Sequence, residues 1–297
     1  MTATPTPGVG AWRTGAARRE FVAVHDALLD RRLPRPDATT DVDTAYGTAH
    51  VQSWVGSGVP LVLLPGAGST AIGWAAMLPH LHGRTIHAVD TIGDVGRSVQ
   101  RAPITTGRDH VAWLEQTLAT LDVTAAHLLG VSYGGWRALL HARYAPDRVV
   151  SLSLLEPAGF QPIRRAFWLW SIACGLAGAA PDPIRRRAAI RLRQEGIVDP
   201  QLRRLARLGF RGFRQHFPPP TPLSDDDLRR ITLPVLLLLG RHSALHDAGD
   251  VAYRATALLP DLECELLDAS HSLATDHGGH VAARVREFIA FREQVSG

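Results

Sequence analysis

Residues 127–135 read HLLGVSYGG, an apolar strand pattern that leads into the motif G-x-S-x-G. Ser132 stands between Gly130 and Gly134, and a helical pattern follows over Gly135–Tyr144. A sharp turn from a strand into a helix needs glycine on both sides of the central residue, and it lifts that residue's side chain above the sheet edge. Ser132 is therefore predicted to be a nucleophile rather than a helix N-cap.

Short apolar runs recur along the chain, and helical patterns separate them. Such runs are typical of strands that are buried on both faces of a parallel sheet. The alternation predicts an α/β fold with a doubly wound, mostly parallel sheet. The predicted strands are Leu61–Leu64, Thr85–Val89, His127–Leu129, Val149–Leu155, Val235–Leu239 and Cys264–Leu267, after a hairpin of Asp41–Ala45 and Ala49–Val55. The predicted helices are Thr14–Leu29, Ile72–Leu81, Arg108–Leu121, Gly135–Tyr144, Gly249–Leu258 and His280–Phe291.

Composition excludes several classes of protein. With 45% hydrophobic and 20% charged residues among 297, the chain is neither disordered nor fibrous. All 32 basic residues are arginine, against 28 acidic residues. The first twenty residues contain no continuous apolar segment of the kind found in secretory signals, and the longest apolar run, 166–180, is shorter than the roughly 20 residues that span a bilayer. We expect a cytoplasmic protein with no stable membrane anchor.

The alternation of strands and helices is interrupted once, from about Phe160 to Asp227. An insertion between two strands of a parallel sheet lies above the strand ends, where ligands bind. We therefore expect a helical cap over 160–227, inserted between core segments 1–159 and 228–297. Its aromatic residues are expected to be buried, because so many exposed rings would be unusual. These residues are Trp168, Trp170, Phe210 and Phe213.

The cap is strongly basic. Twelve arginines and three acidic residues lie between Phe160 and Arg214, and the part from Ile184 to Phe217 is amphipathic. Such a segment is compatible with a solvated helix face, with docking of an anionic substrate or an acidic acyl-carrier domain, and with contact at a membrane surface. No nucleic-acid partner is expected, because no nucleic-acid motif accompanies the charge.

A serine is a poor nucleophile unless a base accepts its proton. His271 is the candidate base, because it follows the last predicted strand and precedes the final helix. The oxyanion of the reaction also needs preorganised N–H donors. We expect one from the backbone of Tyr133, directly after the serine. The second is expected from the loop after Leu61–Leu64, with Ala67 as the candidate and Gly66 next.

Together these motifs resemble the α/β-hydrolase superfamily, in its carboxylesterase and epoxide-hydrolase-like branch. The resemblance extends from about Thr40 to the C-terminus. It implies a serine hydrolase that needs neither a cofactor nor a metal. The motifs that carry it are PGAGS at 65–69, DTIGDVGRS at 90–98, GVSYGG at 130–135, LLEPAG at 154–159, LPVLLLLG at 233–240 and SHS at 270–272.

One departure from the family concerns the acid of the triad. Relatives place it shortly after the penultimate strand, as G-x-x-D or G-x-x-E, whereas this chain has Ser243 at that position. A hydroxyl does not stabilise an imidazolium as a carboxylate does. Glu156, directly after Leu155, could supply the acid, and so could Asp247 if the loop is rearranged. Otherwise Ser132 and His271 act as a dyad, or the chemistry is not hydrolytic.

The most economical hypothesis is cleavage of a carboxylic ester on a small acyl substrate, through an acyl-enzyme on Ser132. One alternative is a thioesterase or acyltransferase acting on a carrier-bound biosynthetic intermediate, which the basic cap would favour. Another is a cyclase, isomerase or lyase that uses the same oxyanion donors, which the missing acid at Ser243 would favour.

Overall fold

The computed structural model describes residues 7–296. Every strand that the sequence predicts is present, in the predicted order, within a nine-stranded sheet at the centre. The strands are β1 (Ala11–Trp12), β2 (Ala38–Thr44), β3 (Gly47–Trp54), β4 (Ser57–Leu64), β5 (Arg84–Val89), β6 (Val99–Gln100), β7 (Ala126–Val131), β8 (Val149–Leu155), β9 (Phe213–Arg214), β10 (Val235–Gly240) and β11 (Leu262–Leu267). The helices are α1 (Gly15–Arg32), α2 (Gly107–Thr120), α3 (Tyr133–Tyr144), α4 (Arg165–Ala179), α5 (Asp182–Leu192), α6 (Pro200–Gly212), α7 (Asp225–Arg229), α8 (Ala248–Leu258), α9 (Leu273–Asp276) and α10 (Gly278–Ser296).

The sheet is mostly parallel, in the order β11-β10-β8-β7-β4-β5-β3-β2, with β6 beside β3. Antiparallel pairing is confined to the contacts of β3 with β2, β5 and β6. In β4, Leu61 and Leu63 pack into the core layer on one face, whereas Val62 and Leu64 pack into the layer on the other. The continuous apolar run is thus explained by burial on both faces, as expected for a parallel sheet.

One predicted helix was wrong. Ile72–Leu81 is not one α-helix but two short 3₁₀ turns, Ala71–Trp74 and Leu78–His80. Pro79 has no N–H for an α-helical hydrogen bond, and Gly73 destabilises the interior of a helix. The spacing of the apolar residues therefore suggested a helix that these two residues do not allow. Within residues 160–227 the structure also has the two-residue strand β9, which pairs antiparallel with β1 near the N-terminus.

Helices α4, α5 and α6 lie between β8 and β10 in the chain, where the sequence predicts the insertion. Helix α6 packs against α1, and the chain is back in the main core by Leu223 and Leu228. The expectation that the cap buries its aromatic rings was wrong for two of them: Trp168 and Phe210 are exposed. Within residues 7–296, no helix combines the length and hydrophobicity needed to cross a bilayer.

The glycines around Ser132 are required by packing. A Cβ on Gly134 would lie 1.9 Å from the carbonyl oxygen of Leu64, and one on Gly130 would lie 2.5 Å from the carbonyl oxygen of Gly134.

Gly134→Ala is therefore expected to lower the free energy of unfolding by about 3 kcal/mol, because the backbone around the new methyl group has to move. Gly175→Ala is the control: it has open space around it in α4 and should raise stability by about 0.5–1 kcal/mol. Urea denaturation measures both, and equal midpoints would contradict the packing argument.

Candidate active site

Ser132 occupies a strained turn between β7 and α3. Its φ is +52°, in the left-handed region that side chains other than glycine rarely adopt. Two backbone hydrogen bonds hold the turn: the Ser132 N–H donates to Leu155 O at 3.0 Å, and the Ala158 N–H donates to Ser132 O at 3.1 Å. The strain is thus supported by the neighbouring strand β8, and it presents the hydroxyl at the carboxyl edge of the sheet.

His271 lies in the turn after β11 and contacts the serine. The two atoms Ser132 Oγ and His271 Nε2 are 3.1 Å apart. On the other side of the ring, His271 Nδ1 lies 3.2 Å from Glu156 Oε2. An ionised carboxylate only accepts hydrogen bonds, so Nδ1 carries the proton and donates to Glu156. Nε2 is then free to accept the proton of the Ser132 hydroxyl, as a general base must.

Glu156 follows β8 directly and is completely buried. Its Oε1 accepts a hydrogen bond from the Gly240 N–H at 2.5 Å, and His246 Nε2 lies 3.6 Å from the same oxygen. Burial alone would raise the pKa of this carboxyl, but the imidazoles of His246 and His271 outweigh it and lower the pKa to about 2. Glu156 is therefore an anion at neutral pH, in contact with the histidine that it would stabilise.

Ser243 stands at the position where the family resemblance implies an acid, and it contacts the glutamate. Its hydroxyl donates a hydrogen bond to Glu156 Oε2. The other candidate, Asp247, has a different role: it is exposed, and its carboxylate accepts hydrogen bonds from the N–H groups of Gly249 and Asp250 as the N-cap of α8. The structure therefore brings Glu156 to His271, whereas it uses Asp247 to begin a helix.

Of the residues predicted to supply oxyanion donors, Tyr133 directly follows the serine in the chain and Gly66 lies close to it. Tyr133 is the first residue of α3, so its N–H has no acceptor within the helix. The loop after β4 passes close by, since a Cβ on Gly66 would lie 3.5 Å from the Ser132 Cβ. The Gly68 N–H is engaged by Asp94 Oδ2 at 2.8 Å, and it is therefore not available to an oxyanion. The assignment of the second donor to Ala67, with Gly66 next, remains a prediction.

Two buried charged residues hold the loop from behind. Arg137 donates from Nη2 to Pro65 O at 2.7 Å, and Asp94 accepts from the Gly68 N–H. Burial lowers the pKa of Arg137 to about 10 and raises that of Asp94 to about 6. The loop beside Ser132 is thus fixed by hydrogen bonds at both ends, which is the preorganisation that an oxyanion site requires.

Helix α4, in the inserted segment 160–227, contacts the histidine. The ring of Phe167 packs edge-on against the His271 ring with centroids 5.1 Å apart, and Trp170 does so at 6.1 Å. Trp170 is held in place because its indole N–H donates to Leu192 O in α5 at 3.0 Å. The inner face of α4 therefore places two aromatic rings against the candidate base, whose side chain is only 12% exposed.

Comparison with known proteins places this geometry in a family. A model of the alpha/beta hydrolase family matches residues 61–285, which include every residue of the site described above. The chain belongs to this family. In sequence it is 28% identical over 259 residues to the uncharacterized carboxylesterase nap of Bacillus subtilis, with 84% of this chain and 85% of that protein covered. It is 26% identical over 262 residues to carboxylesterase YbfK of the same organism, with coverage of 84% and 86%.

The structural comparison agrees with the family assignment. The crystal structure of naproxen esterase from Bacillus subtilis superposes with a TM-score of 0.80 at 25% identity, covering 93% of this chain and 98% of that one. The predicted superfamily and its mostly parallel α/β fold are therefore confirmed.

Sequence reasoning missed the residues that surround the three central side chains. His246 was not singled out, although it lies in the loop after β10 that also contains Ser243. Phe167 was also missed, because only its place on the inner face of α4 brings it to His271. Among residues 7–296, no group of three or more histidine, cysteine or acidic side chains is arranged to hold a metal ion.

Proposed function

We propose that the protein is a serine esterase that hydrolyses carboxylic esters through an acyl-enzyme on Ser132. Ester hydrolysis is supported by the two carboxylesterase relatives, which match along most of their length. The serine mechanism is supported above all by one observation: Ser132 Oγ, the His271 ring and Glu156 Oε2 form a continuous series of contacts of 3.1 and 3.2 Å.

In this mechanism the Ser132 oxygen attacks the ester carbonyl while His271 Nε2 accepts its proton. Glu156 stabilises the resulting imidazolium through Nδ1–H. The backbone N–H of Tyr133 and that of Ala67 hold the oxyanion of the tetrahedral intermediate. The imidazolium then gives its proton to the departing alcohol. Water, deprotonated by His271, attacks the acyl-enzyme, and the acid leaves as Ser132 recovers its proton.

A fluorophosphonate probe tests the proposal without knowledge of the natural substrate. The activated hydroxyl displaces fluoride from phosphorus, so we expect one adduct per chain in the intact mass of the wild type and none in Ser132→Ala. Ser57→Ala is the control, because Ser57 is an exposed serine at the opposite edge of the sheet and its loss should leave labelling unchanged. A folded wild-type protein that takes up no probe would contradict an activated serine and favour non-hydrolytic chemistry.

A further inference from the structure

The outer face of α4 is an apolar stripe open to solvent. Trp168, Leu169, Ile172 and Leu176 are 58–70% exposed, and their spacing places them along one side of the helix. The opposite side carries Phe167, whose ring contacts His271. Helix α4 is therefore apolar on both sides, and only one of them is accounted for by the proposed active site. Scattered exposed apolar residues are ordinary, but a continuous stripe of this kind indicates a binding surface.

Helix α5 adds further exposed apolar side chains, and positive charge, next to α4. It packs against α4, and its Ile184 and Ile190 are exposed. We call α4 and α5 together, Arg165–Leu192, the lid hairpin. It contains five arginines and one acidic residue, Asp182, which pairs with Arg185 and Arg186. The other three arginines form no ion pair or side-chain hydrogen bond with the described part of the chain; they are Arg165, Arg187 and Arg191.

Exposed apolar side chains beside unpaired arginines are the pattern of a helix that lies in the interface of an anionic membrane. We propose that the outer face of the lid hairpin docks peripherally on an anionic phospholipid bilayer. The charge argues against a second copy of the chain as the occupant, because a symmetric contact through this face would bring two basic hairpins together. The apolar residues enter the headgroup boundary and the arginines bind lipid phosphates.

This position defines a substrate class, on the basis of the esterase activity proposed above. Phe167 and Trp170 contact His271 from the inner face of the same helix whose outer face would contact the bilayer. An ester that has partitioned into the lipid surface would reach Ser132 along α4 without crossing bulk water. We therefore expect lipid-soluble acyl esters to be preferred over short water-soluble ones when vesicles are present.

Vesicle binding is measured first in the Ser132→Ala background, so that it does not depend on hydrolysis. Co-sedimentation with vesicles of equal parts phosphatidylglycerol and phosphatidylcholine should be at least tenfold greater than with phosphatidylcholine alone. Binding to the anionic vesicles should be lost in about 1 M salt, where the Debye length is about 3 Å. Arg187→Gln/Arg191→Gln should lower the partition coefficient about fivefold for each charge removed.

The apolar stripe is tested by Leu169→Glu/Leu176→Glu, which should lower the partition coefficient at least tenfold. The matched control is Val55→Glu/Tyr253→Glu, which makes the same charge change at two exposed apolar residues outside the lid hairpin. It should keep most of the vesicle binding. The proposal would be overturned if both double variants lost the same share of vesicle binding. It would also be overturned if the parent protein bound neutral and anionic vesicles equally well, or bound neither. Binding to an acidic acyl-carrier protein in place of vesicles, or a dimer that only the Leu169/Leu176 variant disperses, would also overturn it.

The substrate class is tested in the active protein. Leu169→Glu/Leu176→Glu should hydrolyse p-nitrophenyl acetate at the wild-type rate but lose at least tenfold in rate on a long-chain ester embedded in the anionic vesicles. If the wild type hydrolyses neither ester yet binds vesicles through the lid hairpin, the proposed esterase function fails and the docking surface stands. If it hydrolyses both but does not bind vesicles, the docking proposal fails alone.

Discussion

Replacing Ser132 with alanine should lower kcat on a p-nitrophenyl ester by about 10⁴–10⁶, with little change in KM. The reason is geometric: the hydroxyl is in contact with His271 Nε2, and the strained turn at φ +52° presents it at the sheet edge. Alanine keeps the Cβ, and therefore the packing beside Gly66, while it removes the atom that would form the acyl bond. The remaining rate comes from the oxyanion donors and from substrate binding alone.

Steady-state kinetics and thermal unfolding of the same preparations measure this effect. Ser132→Ala should unfold within a few degrees of the wild type, because the hydrogen bonds that hold the turn are made by backbone atoms of residue 132. Ser57→Ala should retain wild-type kcat. A fall of less than tenfold in folded Ser132→Ala would mean that the reaction does not pass through this oxygen.

The sequence indicates the central residues well because topology places them together. Ser132 and Glu156 each follow a strand directly, and β7 and β8 are parallel neighbours, so both side chains must arise at the same edge of the sheet. His271 follows β11, which lies two strands away beyond β10. Hydrophobic patterning predicts where a buried strand ends, and therefore which residues follow it directly. For this reason a search for residues at strand ends finds the candidate site.

The residues that surround the site could not be predicted from hydrophobic patterning in the same way. The cap helices are recognisable as helices, but patterning alone does not tell which face of α4 meets the core. Phe167 and Trp170 turn toward His271, whereas Trp168, between them in sequence, is exposed. The choice between the two candidate acids posed a similar difficulty. The sequence left both Glu156 and Asp247 open, and only tertiary structure separates a carboxylate that reaches the histidine from one that caps α8.

The role of Glu156 leads to the second large effect. Glu156→Gln should lower kcat by about 10³–10⁴ while substrate binding is preserved. The carboxylate accepts hydrogen bonds from the Gly240 N–H, the Ser243 hydroxyl and His271 Nδ1–H. A glutamine offers one acceptor oxygen in place of two, and its NH₂ group would favour the wrong tautomer of His271. The imidazolium also loses the negative charge that stabilises it.

Asp247→Asn is the matched control, since it makes the same change of carboxylate to amide at the other candidate. Asparagine is as good an N-cap as aspartate, so stability and kcat should both stay close to wild type. Unchanged turnover in Glu156→Gln would remove Glu156 from the mechanism, and a large loss in Asp247→Asn would transfer the role to Asp247.

The pH dependence of stability gives an independent measure of the same interactions. The pKa of Glu156 is lowered from 4.5 to about 2, so its ionised form stabilises the folded protein above pH 4.5, and this contribution is lost as the pH falls toward about 2. The wild type should therefore lose more stability than Glu156→Gln between about pH 4.5 and pH 2. Parallel stability curves for the two proteins in that range would show that the carboxylate is not held as an anion by its neighbours.

A rescue experiment separates the loss of charge from a general disturbance of the site. Ser243 stands at the position where the family resemblance implies an acid, and its hydroxyl already contacts Glu156 Oε2. In the Glu156→Gln background, Ser243→Asp returns a carboxylate to that side of His271. We expect kcat to rise at least tenfold above that of Glu156→Gln, because the imidazolium again has an anion close to Nδ1. Ser243→Asn in the same background has nearly the same shape without the charge and should recover nothing. Equal recovery by both would mean that residue 156 acts by filling space and donating or accepting hydrogen bonds, rather than by stabilising the imidazolium.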